Sequence, residues 1–480
     1  MSSPIFLCKK IISIVLLFLI ISCQKQEATE EMPTTFSLTL KTEGLGNVSP
    51  DSGNFSPNTT ISLTAMASEG YYFDRWEGTI SSEENPYTLG LAADHTIRAV
   101  FLPLPELAEE ILVYDPKRID SNSVFMIVNG GKKAFLVDKT GRIENEWTFE
   151  NALGNDLELF SDGTLMGIFK PEKTAFTYGG YGGLLRKFDA TGNLIWEYER
   201  NTENELLHHD FTLLPNGNIL TLVWERIPTE QAVLGGINTD QDVFLEKIIE
   251  IHPESKTIVW EWRSWQHLIQ DRNPAASNFG VVQENPQKID PNYPLPDNGD
   301  LMHANGLTYD AENDLIYLSV NFYSEVWVID HSKSTQELEG TMGDLRYRFG
   351  NPRAYQGTGT RLFFNNHHPN FVRLDPNTFG HFMIFMNGSK EQQSIVYEME
   401  IPQPDRFINA GELTPPSIHW EFSDPDLFFG KISGAIRLPN GNTLICEGDF
   451  GYWEVSPEKE VVWKYAGKNM TFWRGYVYPF

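Results

Sequence analysis

Eleven histidines are spread over 480 residues, and five of them stand at three comparable places. His208 and His209 open "HHDFTLLPNGNIL", His303 opens "HANGLTYDAENDLIYL", and His367 with His368 lies in "RLFFNNHHPNFVRL". Each place leads into an alternating apolar stretch. Near neutral pH an imidazole serves as nucleophile, proton carrier or metal ligand. A lone histidine before a strand is ordinarily a turn residue bonded to backbone, whereas three in the same setting point to a shared site. Three imidazoles suit zinc. Asn305, however, follows His303 on the same face of an extended strand, and a carboxamide is a hydrogen-bond donor rather than a usual zinc ligand. Imidazole and amide donors together suit the oxygens of an oxyanion group. No "GxxxxGK" loop is present to hold a nucleotide donor.

The elements that position these residues repeat. From about residue 110, a strand, a short turn and a second strand ending near tryptophan occur as "AFLVDKTGRIENEW", "LLRKFDATGNLIWEY", "KIIEIHPESKTIVWEW" and "GYWEVSPEKEVVWKY", with two divergent copies from Glu325 and around Trp420. Most are preceded by a second hairpin, such as "LELFSDGTLMGIF" or "FTLLPNGNILTLV", whose Asn and Gly supply the backbone conformation that tight turns need. Two hairpins per repeat make a four-stranded sheet. Six copies over 110–480 average about 62 residues, which fits blades with long loops. The fold expected is all-β, a six-bladed β-propeller at 110–480 behind a small N-terminal β module, with a β-sandwich as the structural alternative. In a propeller the first strand of each blade lines the central channel. His209, His303 and His367 precede the first strands of three consecutive copies and are therefore expected in one pocket. Adjacent side chains of an extended segment point to opposite faces, so only one of His367 and His368 is expected there.

Composition excludes some partners. Hydrophobic content of 41%, aromatics of 13% and charged residues of 21% describe a globular chain, and a net charge of -28 leaves no basic face for nucleic acid. A local anion site remains compatible with that charge, because charges beyond about 8 Å are largely screened at physiological salt. At the N-terminus, Lys9 and Lys10 precede "IISIVLLFLIIS" and then Cys23, a pattern that resembles a bacterial lipoprotein signal. The expectation is a signal peptide over 1–22, lipidation of Cys23, a polar tether over 23–35, and attachment to a membrane of the bacterial cell envelope, facing the periplasm or the cell surface. Cys8 is then removed and Cys446 alone remains, so no internal disulfide forms. Residues 36–103 alternate as a separate β module, and "GYYFDRWEG" with a terminal "AVF" resembles the InlB-type B-repeat, a spacer or adhesion unit.

The stretches "HHDFTLLPNGNIL", "HANGLTYDAENDLIYLSVNFYSEVWVIDHS", "YRFGNP" and "FFNNHHPNFV" resemble successive motifs of the bacterial arylsulfate sulfotransferase family over nearly all of 110–480. The resemblance implies a six-bladed propeller that moves a sulfuryl group from an aryl sulfate to a phenol, without a nucleotide donor, cofactor or metal. It implies His367 as the residue that carries the group, with His209, His303 and Asn305 binding sulfate and His208 beside them. Two positions depart from the pattern. Asn321 stands where the family has an arginine, and His368 where it usually has an aspartate; Arg353, Arg361 or a protonated His368 are the candidate replacements for the lost cation. Two other classes stay open: a non-catalytic propeller that binds an anionic or aromatic ligand, and a metal-dependent hydrolase.

Overall fold

The computed structural model describes residues 35–293, 296–372, 381–388, 393–409 and 412–478; the expected signal peptide, Cys23 and most of the tether lie outside them. The chain divides into two compact units, one ending at Leu104 and the other spanning Pro105–Phe480. Both are all-β, and the α-helices among the described residues are two short ones, Thr229–Leu234 and Thr335–Leu338. In the first unit, Phe36–Glu43 pairs in parallel with His95–Pro103, which pairs with Tyr71–Gly78. A second sheet joins Gly46–Ser49, Thr60–Ala67 and Tyr87–Gly90. Alternation in "TISLTAMA" turns Ile61, Leu63 and Ala65 inward onto Trp76, Leu91 and Ile97.

Among the described residues the second unit is a succession of six antiparallel sheets of four or five strands, with a two-stranded one, Ile408–Asn409 and Glu412–Leu413, beside them. The second to sixth sheets begin with Leu153–Leu159, Glu205–Leu213, Ala304–Asp310, Asn366–Phe371 and Gly434–Arg437, and each continues outward by hairpins. Turns such as "SDG" and "LPNG" close them with Gly163 and Gly217 at φ of 80° and 85°, a conformation glycine adopts at no steric cost. The first sheet is assembled differently. Its inner strand, Phe472–Tyr478, comes from the far end of the chain and pairs with Ser123–Val128. Conversely, Ile111–Tyr114 joins the sixth sheet as a fifth strand on Val461–Ala466. Five inner hairpins are therefore local in sequence and the sixth pairing is made by the two ends of the unit.

Inner strands touch in order from Leu153–Leu159 through Gly434–Arg437 to Phe472–Tyr478, which contacts Leu153–Leu159 again. Apolar clusters fill each interval, for example Ile168, Leu207 and Ile249 between the second and third sheets, and Leu444, Trp463 and Val124 between the sixth and first. The repeated tryptophans sit on the fourth strands of their sheets and reach across these intervals. Trp196 Nε1 donates to Pro253 O, Trp260 to Lys333 O, and Trp463 to Lys139 O, all at 2.8 Å, while Trp420 donates to Pro457 O at 3.0 Å. In every case the acceptor lies in the outer turn of the next sheet, and Trp463 reaches from the sixth sheet to the first. The tryptophan that marks the repeat in sequence is thus the latch between repeats. Trp147, buried on the first sheet, has no partner for its Nε1.

Trp463→Phe should therefore cost about 1 kcal/mol more stability than Trp147→Phe, the difference being one hydrogen bond. Urea denaturation of the two variants followed by tryptophan fluorescence checks this.

Candidate active site

Inner strands carry an irregularity where they approach one end. The strand register shifts between Leu153 and Leu157, His208 and Phe211, Ala304 and Gly306, His367 and Asn370, and Phe472 and Gly475. Such bulges re-aim side chains that regular alternation would place elsewhere. Here they bring His209, His303 and His367 to a single pocket of about 490 Å³. His209 and His303 hold left-handed φ values of 53° and 52°, uncommon for residues with a Cβ and tolerated better by histidine than by most. Gly180, at φ 76°, lies against His209 so closely that no Cβ fits there.

Of the residues expected at the site, His209, His303, Asn321 and His367 line the pocket, whereas His208, His368 and Asn305 do not. The two histidine pairs present opposite members, the second at 208–209 and the first at 367–368. Strand alternation alone did not predict that; the bulges decide it. His208 lies flat on Trp224, ring centroids 3.8 Å apart. His368, at φ 56°, is buried against Gly434 and Tyr476 with its Nδ1 unpartnered. Asn305 is fully buried and donates Nδ2 to the carbonyl of Asn366 at 2.7 Å, which ties the strand bearing His367 to the fourth sheet. Neither Arg353 nor Arg361 lines the pocket; Arg361 donates to Phe363 O and Ser324 Oγ at 2.8 and 2.9 Å.

Several lining residues carry no signal in the sequence. Lys431 brings an exposed ammonium, and Phe322, Ile432 and Trp473 bring apolar walls. Asp300, three residues before His303, binds His303 Nδ1, and that spacing is the signal the sequence carries for it. Asn387 faces His367 from the neighbouring strand, and its relevance emerges only from strand pairing.

These partners set the protonation of each imidazole. Asn387 donates Nδ2 to the carbonyls of Phe429 and Ile432 at 2.8 Å each, which turns its Oδ1 towards His367 Nδ1 at 2.6 Å. An amide oxygen only accepts, so His367 carries its proton on Nδ1 and keeps a lone pair on Nε2. Burial pushes its pKa down to about 3, against the Asn387 hydrogen bond and with help from His303 and Arg474. His209 is also held well below the ordinary value, first by burial and then by its imidazole neighbours. His303 goes the other way: burial opposes its charge, but the charge and hydrogen bond of Asp300 outweigh that and raise it. One pocket therefore holds an imidazole kept neutral with a free lone pair and another whose charged form its carboxylate partner favours.

A model of the arylsulfotransferase (ASST) family matches residues 112–402, and one of the divergent InlB B-repeat domain matches 36–104. The chain belongs to the arylsulfotransferase family. No curated protein matches it. Among solved structures, it is similar to a protein of unknown function from Bacteroides caccae (11% identity, 74% of this chain and 98% of that one, TM-score 0.42). It is also similar to a putative 6-phosphogluconolactonase from Bacteroides fragilis NCTC 9343 (12%, 76% and 100%, 0.38) and to apo AztD from Citrobacter koseri (10%, 74% and 98%, 0.37). Nothing about function follows from likenesses this distant. Among the described residues, the group of possible metal ligands that clusters within 4.8 Å is His381, Glu398 and His419; it lies on the fifth sheet and none of the three lines the pocket.

The buried neutral imidazoles make stability depend on pH. His208, His209, His367 and His368 are all lowered, first by burial, and unfolding returns each to about 6.5. The unfolded chain then binds protons that the folded one refuses, so stability falls as pH drops below about 6.5 and, for His367, keeps falling to about 3. His303 has the opposite sign: its contribution is present below 6.5 and is lost as pH rises through its raised value. Carboxyls that burial holds above their ordinary range, such as Glu158 and Glu447, pull the other way, so the histidine contribution is read as a difference: in urea denaturation between pH 7 and 4, the stability of the unaltered protein relative to His367→Gln should fall as pH drops.

Proposed function

We propose that the second unit is a six-bladed β-propeller whose pocket transfers a sulfuryl group from aryl sulfate esters to phenols through sulfated His367. Six successive sheets, inner strands that meet in sequence and return to the start, and the latch from Trp463 to the first sheet support the architecture. Family membership supports arylsulfotransferase chemistry in general. The observation that carries the finer reading is the contrast in one pocket between His367, backed by the amide oxygen of Asn387 and held neutral, and the partly exposed His303, backed by the Asp300 carboxylate that favours its charged form.

In the first half-reaction the Nε2 lone pair of His367 attacks sulfur, the bond from sulfur to the aryl oxygen breaks, and the aryl oxygen departs with its electron pair. In the second, a neighbouring imidazole takes the proton of a phenol whose oxygen attacks the same sulfur, the N–S bond breaks, and His367 recovers its lone pair. A covalent intermediate divides one difficult displacement into two. The group in flight is loose and planar like a phosphoryl group, so positioning and contacts to its oxygens dominate the rate. His303 N–H, the Asn321 amide and the Lys431 ammonium serve those oxygens and do the work of the family's arginine. Phe322, Ile432 and Trp473 offer the apolar faces that an aryl ring requires. Asn305 acts one step back by holding the strand of His367. The N-terminal unit acts as a spacer, and acylated Cys23 holds the protein to the cell envelope.

Incubation with nitrophenyl sulfate, with and without a phenol acceptor and with and without chelator, tests the activity. Acceptor-stimulated, chelator-insensitive release of nitrophenolate is expected; binding without release would favour a ligand-binding protein. His367→Ala should abolish transfer at unchanged fold, whereas His368→Ala should leave measurable turnover, and peptide mapping after donor alone should find the added mass on His367. Mass spectrometry of the mature N-terminus should find Cys23 acylated; a free amino terminus elsewhere overturns the anchor.

A further inference from the structure

His208 is completely buried and touches no ligand space, yet both its ring nitrogens face titratable groups. Its Nδ1 lies 2.8 Å from Nδ1 of His209, and its Nε2 lies 3.1 Å from Oε2 of Glu246. Neither that Nε2 nor Glu246 Oε2 makes a hydrogen bond in this geometry, so two buried, unsatisfied atoms stand 3.1 Å apart, close enough for one to form when a proton lies between them. Glu246 is also fully buried, on the strand Val243–His252, and its Oε1 accepts the amide of Ala304 at 2.7 Å. Burying three ionisable groups in a line costs free energy that an apolar side chain stacked on Trp224 would not, so packing does not account for them. Asp300 with His303, and Asp210 with Arg474, are the charged groups that face this line.

Two like nitrogens at 2.8 Å form a hydrogen bond only when one ring is protonated there and the other is not. With both imidazoles neutral, as burial favours, that restricts the line to two arrangements. In the first, Glu246 is a carboxylic acid that donates to His208 Nε2, His208 Nδ1–H donates to His209 Nδ1, and His209 carries Nε2–H into the pocket. In the second, Glu246 is a carboxylate that accepts from His208 Nε2–H, His209 Nδ1–H donates to His208 Nδ1, and His209 Nε2 presents a lone pair. The two differ by one proton, and it enters or leaves at the pocket. Burial favours the first at rest, because it raises Glu246 well above the carboxyl range and lowers both imidazoles.

We propose that Glu246 and His208 form a proton relay which lends a proton through His209 to the departing aryl oxygen and takes one back from the incoming phenol. The proposal rests on the sulfuryl transfer argued above. Donor and acceptor are both aryl oxygens, so the second half-reaction is the first run backwards, and one reversible relay serves both. In the first, His209 Nε2–H passes to the aryl oxygen as the S–O bond breaks, the two imidazole protons shift along the line, and Glu246 is left as a carboxylate. In the second, the phenol proton returns to His209 Nε2 as its oxygen bonds to sulfur, and Glu246 is reprotonated. His209 is the catalytic residue; His208 and Glu246 are positioning residues that act through it.

The test compares two donors on the full chain. Nitrophenolate leaves without a proton, whereas the phenolate of unsubstituted phenyl sulfate needs one. Glu246→Gln keeps a hydrogen-bond donor at this position but releases no proton. It should cut kcat for phenyl sulfate by about 100-fold or more, the size of a general-acid contribution, while nitrophenolate release and sulfation of His367 persist within severalfold and so report an intact site. Glu246→Asp should recover part of the phenyl sulfate activity, and His208→Gln should reproduce the selective loss if Glu246→Gln does not fold. Equal losses on both donors, or no loss on phenyl sulfate, overturn the relay with sulfuryl transfer intact. Failure of the unaltered protein to release nitrophenolate and sulfate His367 overturns the transfer reading and the relay together.

Discussion

One buried guanidinium holds the site-bearing strands together. Arg474, on the strand contributed by the far end of the chain, pairs with Asp156 at 3.3 Å and with Asp210 at 3.0 Å, and donates to the carbonyl of Asn305 at 3.2 Å. Those partners lie on the inner strands of the second, third and fourth sheets. Asp210 also accepts the amide of Leu307 at 2.9 Å, and Tyr476 donates to Asp156 at 3.0 Å. An ion pair this deep adds little net stability against an apolar alternative. Once built it is costly to break, about 3–5 kcal/mol for loss of one partner, because an uncompensated charge remains. The network therefore specifies which strands meet; His209 and His303, one and two residues from Asp210 and Asn305, inherit that placement, and Asn305 in turn ties in the strand of His367.

The same burial sorts the pocket's imidazoles into opposite roles. Desolvation lowers all of them, so a carboxylate is what lets one stay charged. Asp300 supplies it to His303, whereas His367 receives only the neutral oxygen of Asn387. Acid and nucleophile are thus separated by the type of partner behind the ring, an amide or a carboxylate, within one residue type. The net charge of -28 does not determine this local balance, since it is spread over a screened surface while the pocket's own cations, His303 and Lys431, are close at hand.

Bulges supply the final aim. At 208–211 and 367–370 the strands abandon alternation, and left-handed residues His209 and His368 turn in different directions. Backbone strain of this kind clusters where side chains must converge rather than pack. The surrounding regular sheets, latched by their tryptophans, hold it in place.

The all-β character, the hairpin repeats and the grouping of His209, His303 and His367 were legible in the sequence because they rest on local rules: strand alternation, turn chemistry at Gly163 and Gly217, and recurrence of the same motif. The repeated tryptophan was visible too, although its use as a latch was not, since its acceptor lies in the next sheet. Non-local facts belonged to the tertiary structure. The sixth inner pairing joins Phe472–Tyr478 to Ser123–Val128, across more than three hundred residues that carry no local signal of it. Asn387 opposite His367, Arg474 between two aspartates, Asn305 turned into the wall and His208 withdrawn behind His209 all depend on register and bulge geometry. Sequence determined which residue types were available near the pocket; only packing decided which of them face it and which protonation state burial imposes.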